Sequence, residues 1–217
     1  DHSLPLHWTA PPHEVVGGAA PEVDPASPEY DGVCRRFLQS CGVEASCYKV
    51  TKIQRVENTM LWEQYQSMKK TMDRIAQSVN SGASTLSASP HRSKGSNEMC
   101  LYHGTSMESA QEIIRKGFDR GYTQNHDYGK GAYFAKNARY CCADRYSSPD
   151  VERNKYVFLA RVLVGDYCKG SKTDKAPPQK HCHSTVNDEA SPTVFVTYRD
   201  NQSYPEYLVT FRRADGA

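Results

Sequence analysis

The order of helical and strand signals predicts an α+β fold built from antiparallel strand pairs and a few helices. Three observations carry that expectation. From Asn58 a long amphipathic pattern places Leu61, Tyr65, Met68, Met72 and Ile75 on one stripe, at steps of four and three. Residues 156–165, YVFLARVLVG, form a nearly continuous apolar run, the mark of a strand buried on both faces. Strands and helices also fail to alternate as they would in a doubly wound sheet.

In chain order, residues 1–26 are rich in Pro, Ala and Gly and read as an extended lead-in, with Trp8 pinned against the body of the domain. Ser27-Pro28-Glu29 supplies an N-cap, a first-turn proline and an early acid. Tyr30, Val33, Cys34, Phe37 and Leu38 continue at helical spacing, and Gly42 stops the helix. Residues 47–57, CYKVTKIQRVE, mix β-branched with charged side chains and read as an edge strand with room for a bulge. Asn58 caps the long helix. Residues 78–97 are Ser-rich and read as a flexible loop. Residues 98–103 read as a strand, and Thr105 with Glu108 as a capping box. Met107, Ala110, Ile113 and Ile114 give the apolar face of the helix that Gly117 closes. A polar loop over 119–127 and a short helix over 137–146 follow. Residues 169–192 read as loop. The last strands, 193–198 and 206–212, are separated by Asp200-Asn201-Gln202, which suggests a hairpin.

Composition limits the function classes. The 217 residues suit a single catalytic domain spanning 1–217, with no room upstream of the Ser-rich loop for a second core. Lys plus Arg number 27 against 25 Asp plus Glu, so no overall field calls for a nucleic-acid partner. No run of about 18 apolar residues is present, so no membrane span is expected. No signal peptide is visible at a start that reads as cut from something longer. The eight cysteines include no C-x-x-C pair, and His181-Cys182-His183 has no partner pair, so no metal is expected. Cys47, Cys100, Cys141 and Cys168 sit in apolar or motif contexts and read as buried free thiols of a reduced, intracellular protein.

The chemistry concentrates in residues 101–146. His103 stands in Leu-Tyr-His-Gly-Thr, and a second string reads Tyr128-Gly129-Lys130-Gly131-Ala132-Tyr133-Phe134-Ala135. Glycines beside aromatics suit a site where backbone approaches a flat ligand closely and rings cover it. These two strings resemble the nicotinamide site of the poly(ADP-ribose) polymerase family of ADP-ribosyltransferases, and the likeness runs from about Ser27 to Arg212. Leu61-Trp62-x-x-Tyr65 in the long helix resembles the family as well.

The resemblance implies an ADP-ribosyltransferase fold, with split, mostly antiparallel sheets flanked by a few helices. It implies NAD+ as co-substrate and no metal. His103 would hydrogen-bond ribose hydroxyls, and the Gly104 backbone would hold the carboxamide. Thr105 would serve the adenosine side, and Tyr128 would lie in the binding motif. Tyr133 and Tyr146 would stack on the two faces of the nicotinamide. Cys141 replaces the family's carboxamide-donating serine, a weaker and longer hydrogen-bonding group. Lys130 is as readily a solvated lysine as a local charge.

Polymer-forming members carry a glutamate on the final strand. In Tyr204-Pro205-Glu206-Tyr207-Leu208 the matching place is Leu208 by likeness to the mono-transferase branch, or Glu206 by gapless comparison. Residues two apart share a face of a regular strand, so alternation does not separate them. The favoured reading is Leu208 in the pocket, Glu206 at its rim, and mono-ADP-ribosylation of protein acceptors, with the chain itself among the candidates. The alternatives are a polymerase using Glu206, an inactive NAD- or ADP-ribose-binding module, and transfer to nucleic-acid ends.

Overall fold

The structure, a computed structural model, describes residues 4–9, 17–80, 95–122 and 127–214. Four helices are described, α1 (Pro28–Cys41), α2 (Thr59–Asn80), α3 (Met107–Lys116) and α4 (Ala138–Cys141). The strands are β1 (Tyr48–Arg55), β2 (Glu98–Thr105), β3 (Ala132–Ala135), β4 (Lys155–Leu163), β5 (Tyr167–Lys169), β6 (Ser184–Val186), β7 (Val194–Thr197) and β8 (Ser203–Arg213). They form one sheet in the order β1-β8-β4-β2-β3-β7-β6-β5. All neighbours are antiparallel except β5 with β6.

The expected split is visible within that order. β2 pairs β4 over eight residues, from Glu98↔Leu163 to Thr105↔Tyr156. β2 meets β3 at one pair only, Tyr102↔Ala135. Beyond that joint the two halves part, and His103, Gly104 and Thr105 face the opening as the last residues of β2. β4 is buried along nearly its whole length, as its apolar run requires.

Helix starts follow the sequence closely. The Ser27 hydroxyl accepts from the Tyr30 N–H at 3.1 Å, and Gly42 ends α1 with φ 62°. Asn58 Oδ1 accepts from the Leu61 N–H at 3.1 Å, while its Nδ2 donates to the Ile114 and Arg115 carbonyls. One side chain thus caps α2 and satisfies the end of α3. Trp62, Tyr65, Met68 and Met72 pack with Leu163 and Tyr204. Trp8 closes this cluster from outside, its ring 6.1 Å from Trp62 and 6.4 Å from Tyr204. β1 is an edge strand with a bulge between Val50 and Lys52.

Several expectations are corrected. Ile75 is 50% exposed rather than buried. Met72 already reaches Gly165 past the end of β4, so the next turn of α2 overhangs the sheet. The helix continues to Asn80, into the segment expected to be loop; residues 81–94 of that segment lie outside those described. Ser106, not Thr105, caps α3, accepting from the Ser109 N–H at 3.2 Å, because Thr105 is still paired in β2. Met107 is consequently exposed. α4 is a single turn, shorter than the expected helix. The stretch expected to be loop contains β6, a strand buried at all three positions.

β7 and β8 are not a hairpin: β4, β2 and β3 lie between them. Residues 200–202 form a 3-10 turn from which Gln202 Nε2 donates to the Leu163 and His183 carbonyls, carrying the chain across the sheet. Among the cysteines, Cys100 is exposed and Cys47 half-buried. Cys41, Cys142 and Cys182 are buried beside Cys141 and Cys168. All eight are free thiols.

Candidate active site

The site lies where β2 and β3 separate. His103 Nδ1 is 2.8 Å from the Tyr133 carbonyl oxygen. A carbonyl can only accept, so Nδ1 carries the proton and donates, which leaves Nε2 of the neutral ring as an acceptor. Phe118 meets the ring edge-on at 5.0 Å, and Phe134 lies at 5.8 Å. Burial among these rings pushes the imidazole pKa down, against the opposing effect of the hydrogen bond to Tyr133, and so favours that neutral form.

Tyr133 is fixed by the loop before it. Its hydroxyl donates to the Gly129 carbonyl at 2.8 Å and accepts from the Tyr128 N–H at 3.0 Å. Burial pushes its pKa up to about 12, so it stays a neutral phenol. Gly129 is required here, since φ is 126° and a Cβ would stand 1.9 Å from the Tyr198 hydroxyl. Tyr128 is half-buried, and its carbonyl accepts from Thr185 Oγ1 at 2.7 Å. Lys130 is exposed.

Gly104 brings β2 close to the end of α4 and to the turn after it. A Cβ on it would lie 2.6 Å from the Cys141 carbonyl oxygen and 3.1 Å from Tyr146 Cβ. The Cys141 thiol faces the backbone N–H groups of Gly104 and Ala135, and burial pushes its pKa up to about 12. Thr105 is buried opposite Tyr156. Tyr146 stacks on Tyr140, with ring centroids 4.7 Å apart and the two hydroxyls 2.5 Å apart. Tyr140 is the residue that sequence reasoning missed; its aromatic ring six residues before Tyr146 was the available signal.

Register separates the two candidates for the third position. His103 stands opposite Phe158, and Phe158 opposite Leu208. Directly opposed residues of antiparallel strands share a face, so the three form one row across β2, β4 and β8. Glu206 is off that row. Leu159 pairs Tyr207 while Ala160 pairs Pro205, so one residue of β8, Glu206, is left unpaired in a bulge. Its carboxylate accepts from Arg161 Nε at 2.7 Å and from the terminal guanidinium nitrogen at 2.6 Å. The strand alternation that made the two candidates equivalent is broken between them. Neither of two cavities, of 280 and 570 Å³, is lined by His103 or Tyr133. No group of three or more metal-ligating side chains occurs among the described residues. No helix among them is long and apolar enough to cross a membrane.

Comparison with known proteins identifies the family. Residues 27–191 match the family described as "Poly(ADP-ribose) polymerase catalytic domain", and the chain belongs to that family. Its relatives narrow the branch. The chain is 37% identical to the human protein mono-ADP-ribosyltransferase PARP14, over 97% of this chain and 11% of that protein. It is 35% identical to Mus musculus protein mono-ADP-ribosyltransferase PARP12, over 96% of this chain and 27% of the relative. With Mus musculus protein mono-ADP-ribosyltransferase PARP10 the identity is 33%, over 85% and 18%. The chain therefore spans between about a tenth and about a quarter of these relatives' lengths.

Proposed function

We propose that this chain is an NAD-dependent protein mono-ADP-ribosyltransferase domain, transferring one ADP-ribose to an acceptor side chain and releasing nicotinamide. The observation that carries the reading is the row His103–Phe158–Leu208, with Glu206 withdrawn from it into a pair with Arg161. The names of the three relatives described above, each a protein mono-ADP-ribosyltransferase, support the same product.

The residues divide the work as follows. The free Nε2 of His103 accepts from a hydroxyl of the nicotinamide ribose and orients the sugar. The Gly104 backbone, with Cys141 beside it, holds the carboxamide. Tyr133 and Tyr146 sandwich the pyridinium, whose charge favours their ring faces. The glycosidic C–N bond breaks, nicotinamide leaves with the electron pair, and positive charge develops on the ribose. The acceptor's nucleophile then bonds to that carbon. The protein contributes orientation and electrostatic preorganisation. Leu208 offers no carboxylate to polarise a second ribose hydroxyl, so transfer stops after one unit.

The same reading takes the acceptors as proteins, the chain itself included, and the compartment as reducing and intracellular. The test is incubation with isotopically labelled NAD, followed by intact-mass measurement. Increments of single ADP-ribose units on separate residues are expected. Binding of NAD without covalent label, or a ladder extending from one residue, would replace the proposal.

A further inference from the structure

The residues assigned to NAD use one side of the segment 137–146. Another side of it opens on the 570 Å³ cavity, whose charged lining is Glu44, Arg139, Asp144, Arg145 and Arg213, with Tyr140 beside them. The charges in it are not evenly matched. Arg139 Nε lies 2.9 Å from Glu44, and Asp144 takes the ammonium of Lys155 at 2.7 Å. Those pairs cancel. Among the described residues, Arg145 and Arg213 make no ion pair. Arg145 instead lies over the Tyr146 ring at 4.6 Å and the Tyr140 ring at 5.8 Å. Tyr140 both lines the cavity and stacks on Tyr146, so the cavity shares a wall with the nicotinamide side of the cleft.

Two guanidiniums without an ion-pair partner beside the proposed transfer site, Arg213 acting on Asp144 only at longer range, suit a ligand with separated negative charges. Glu44 and Asp144 stand in the same lining, so the ligand must also bring hydrogen-bond donors or be repelled. A peptide supplies donors through its backbone N–H groups. A nucleic-acid strand also carries donors on its sugars and bases, so it is the competing occupant and the titration includes it. We propose that this cavity docks an acidic stretch of the acceptor protein next to the residue that is modified. The inference rests on the transferase reading for the acceptor's role, not for the existence of the site.

The probe is a fluorescein-labelled octaglutamate peptide, titrated against the domain by anisotropy at low and high salt. Salt-sensitive binding is expected, weakened about tenfold, a 1.4 kcal/mol change, by Arg213→Glu. That residue is exposed at the end of β8, so the variant should fold, and its melting temperature checks this. Affinity for 3-aminobenzamide, a probe of the nicotinamide side, should stay unchanged in Arg213→Glu. Arg145→Gln provides a second charge removal and should weaken the peptide in the same direction. Absence of peptide binding, affinity unchanged from the parent chain in both variants, or tighter binding of a single-stranded oligonucleotide would overturn the proposal. If the peptide binds through Arg213 while no ADP-ribose is transferred, the docking site stands and the transferase reading fails.

Discussion

Glu206→Gln separates stability from chemistry. The substitution keeps the shape of the side chain and removes its charge, leaving Arg161 with Glu98 at 3.6 Å as its remaining acid. Removing one partner of a fully buried ion pair costs about 3–5 kcal/mol, and exposed pairs contribute about 0–1 kcal/mol. Here the Glu206 side chain is 12% exposed and Arg161 35%, and the glutamine oxygen can still accept from the guanidinium. The expected loss is about 1–2 kcal/mol, a fall in Tm of about 2–8 °C at this chain length. The effect on transfer should be small, less than about twofold per folded molecule, because Glu206 lies off the row that holds His103. A carboxylate acting in proton transfer would instead contribute about 10²- to 10⁴-fold. Thermal melts and single-turnover transfer, with intact-mass reading of the product, measure both quantities on one sample. A hundredfold loss of transfer at unchanged Tm would refute the placement of Leu208 at the third position.

The imidazole of His103 has its pKa lowered by burial, so the unfolded chain binds its proton more readily than the native one. Its contribution to stability is therefore full above the unfolded value of about 6.5 and falls as pH drops towards the lower native value. The rate of transfer should be flat above that pH and decline only below it, with an NMR titration of His103 placing its midpoint under about 6.5. His103→Ala should lower transfer about a hundredfold while circular dichroism is retained. Gly104→Ala drives a methyl to within 2.6 Å of the Cys141 carbonyl oxygen, so it should destabilise by about 1–3 kcal/mol and raise KM for NAD. In the proposed function Cys141 lies beside the carboxamide, so Cys141→Ser supplies a stronger hydrogen-bonding group there and should tighten nicotinamide by about 0.5–1.5 kcal/mol, read by calorimetry.

Much of this architecture is legible because local signals and tertiary demands agree. Ser27, Asn58, Gly42 and Gly117 mark helix ends through groups that act within a few residues of themselves. The apolar run of β4 needs both faces covered, and the clusters around α1 and around α3 cover one each. The failures share a cause, which is long-range pairing. β7 and β8 look like a hairpin from spacing alone, yet β7 pairs with its predecessor β6 and with distant β3, and β8 with distant β1 and β4. β6 is three residues long and carries too little pattern to stand out from the polar stretch around it. For the site, His103, Gly104 and Tyr133 follow from motif strings. Tyr140 does not, because its role depends on a stack with Tyr146 that only the turn after α4 creates. The separation of Leu208 from Glu206 likewise depends on a pairing irregularity invisible in one strand's own alternation.

That irregularity bears on how product length could change over time. A carboxylate already sits two residues from Leu208, kept off the reacting face by one surplus residue in the last strand. Excising Pro205 would straighten the ladder, bring Glu206 opposite Ala160, and turn its acid towards the imidazole's side of the sheet. In this domain a single deletion would therefore bring an acid onto the imidazole's face of the sheet, while Leu208 kept its place opposite Phe158.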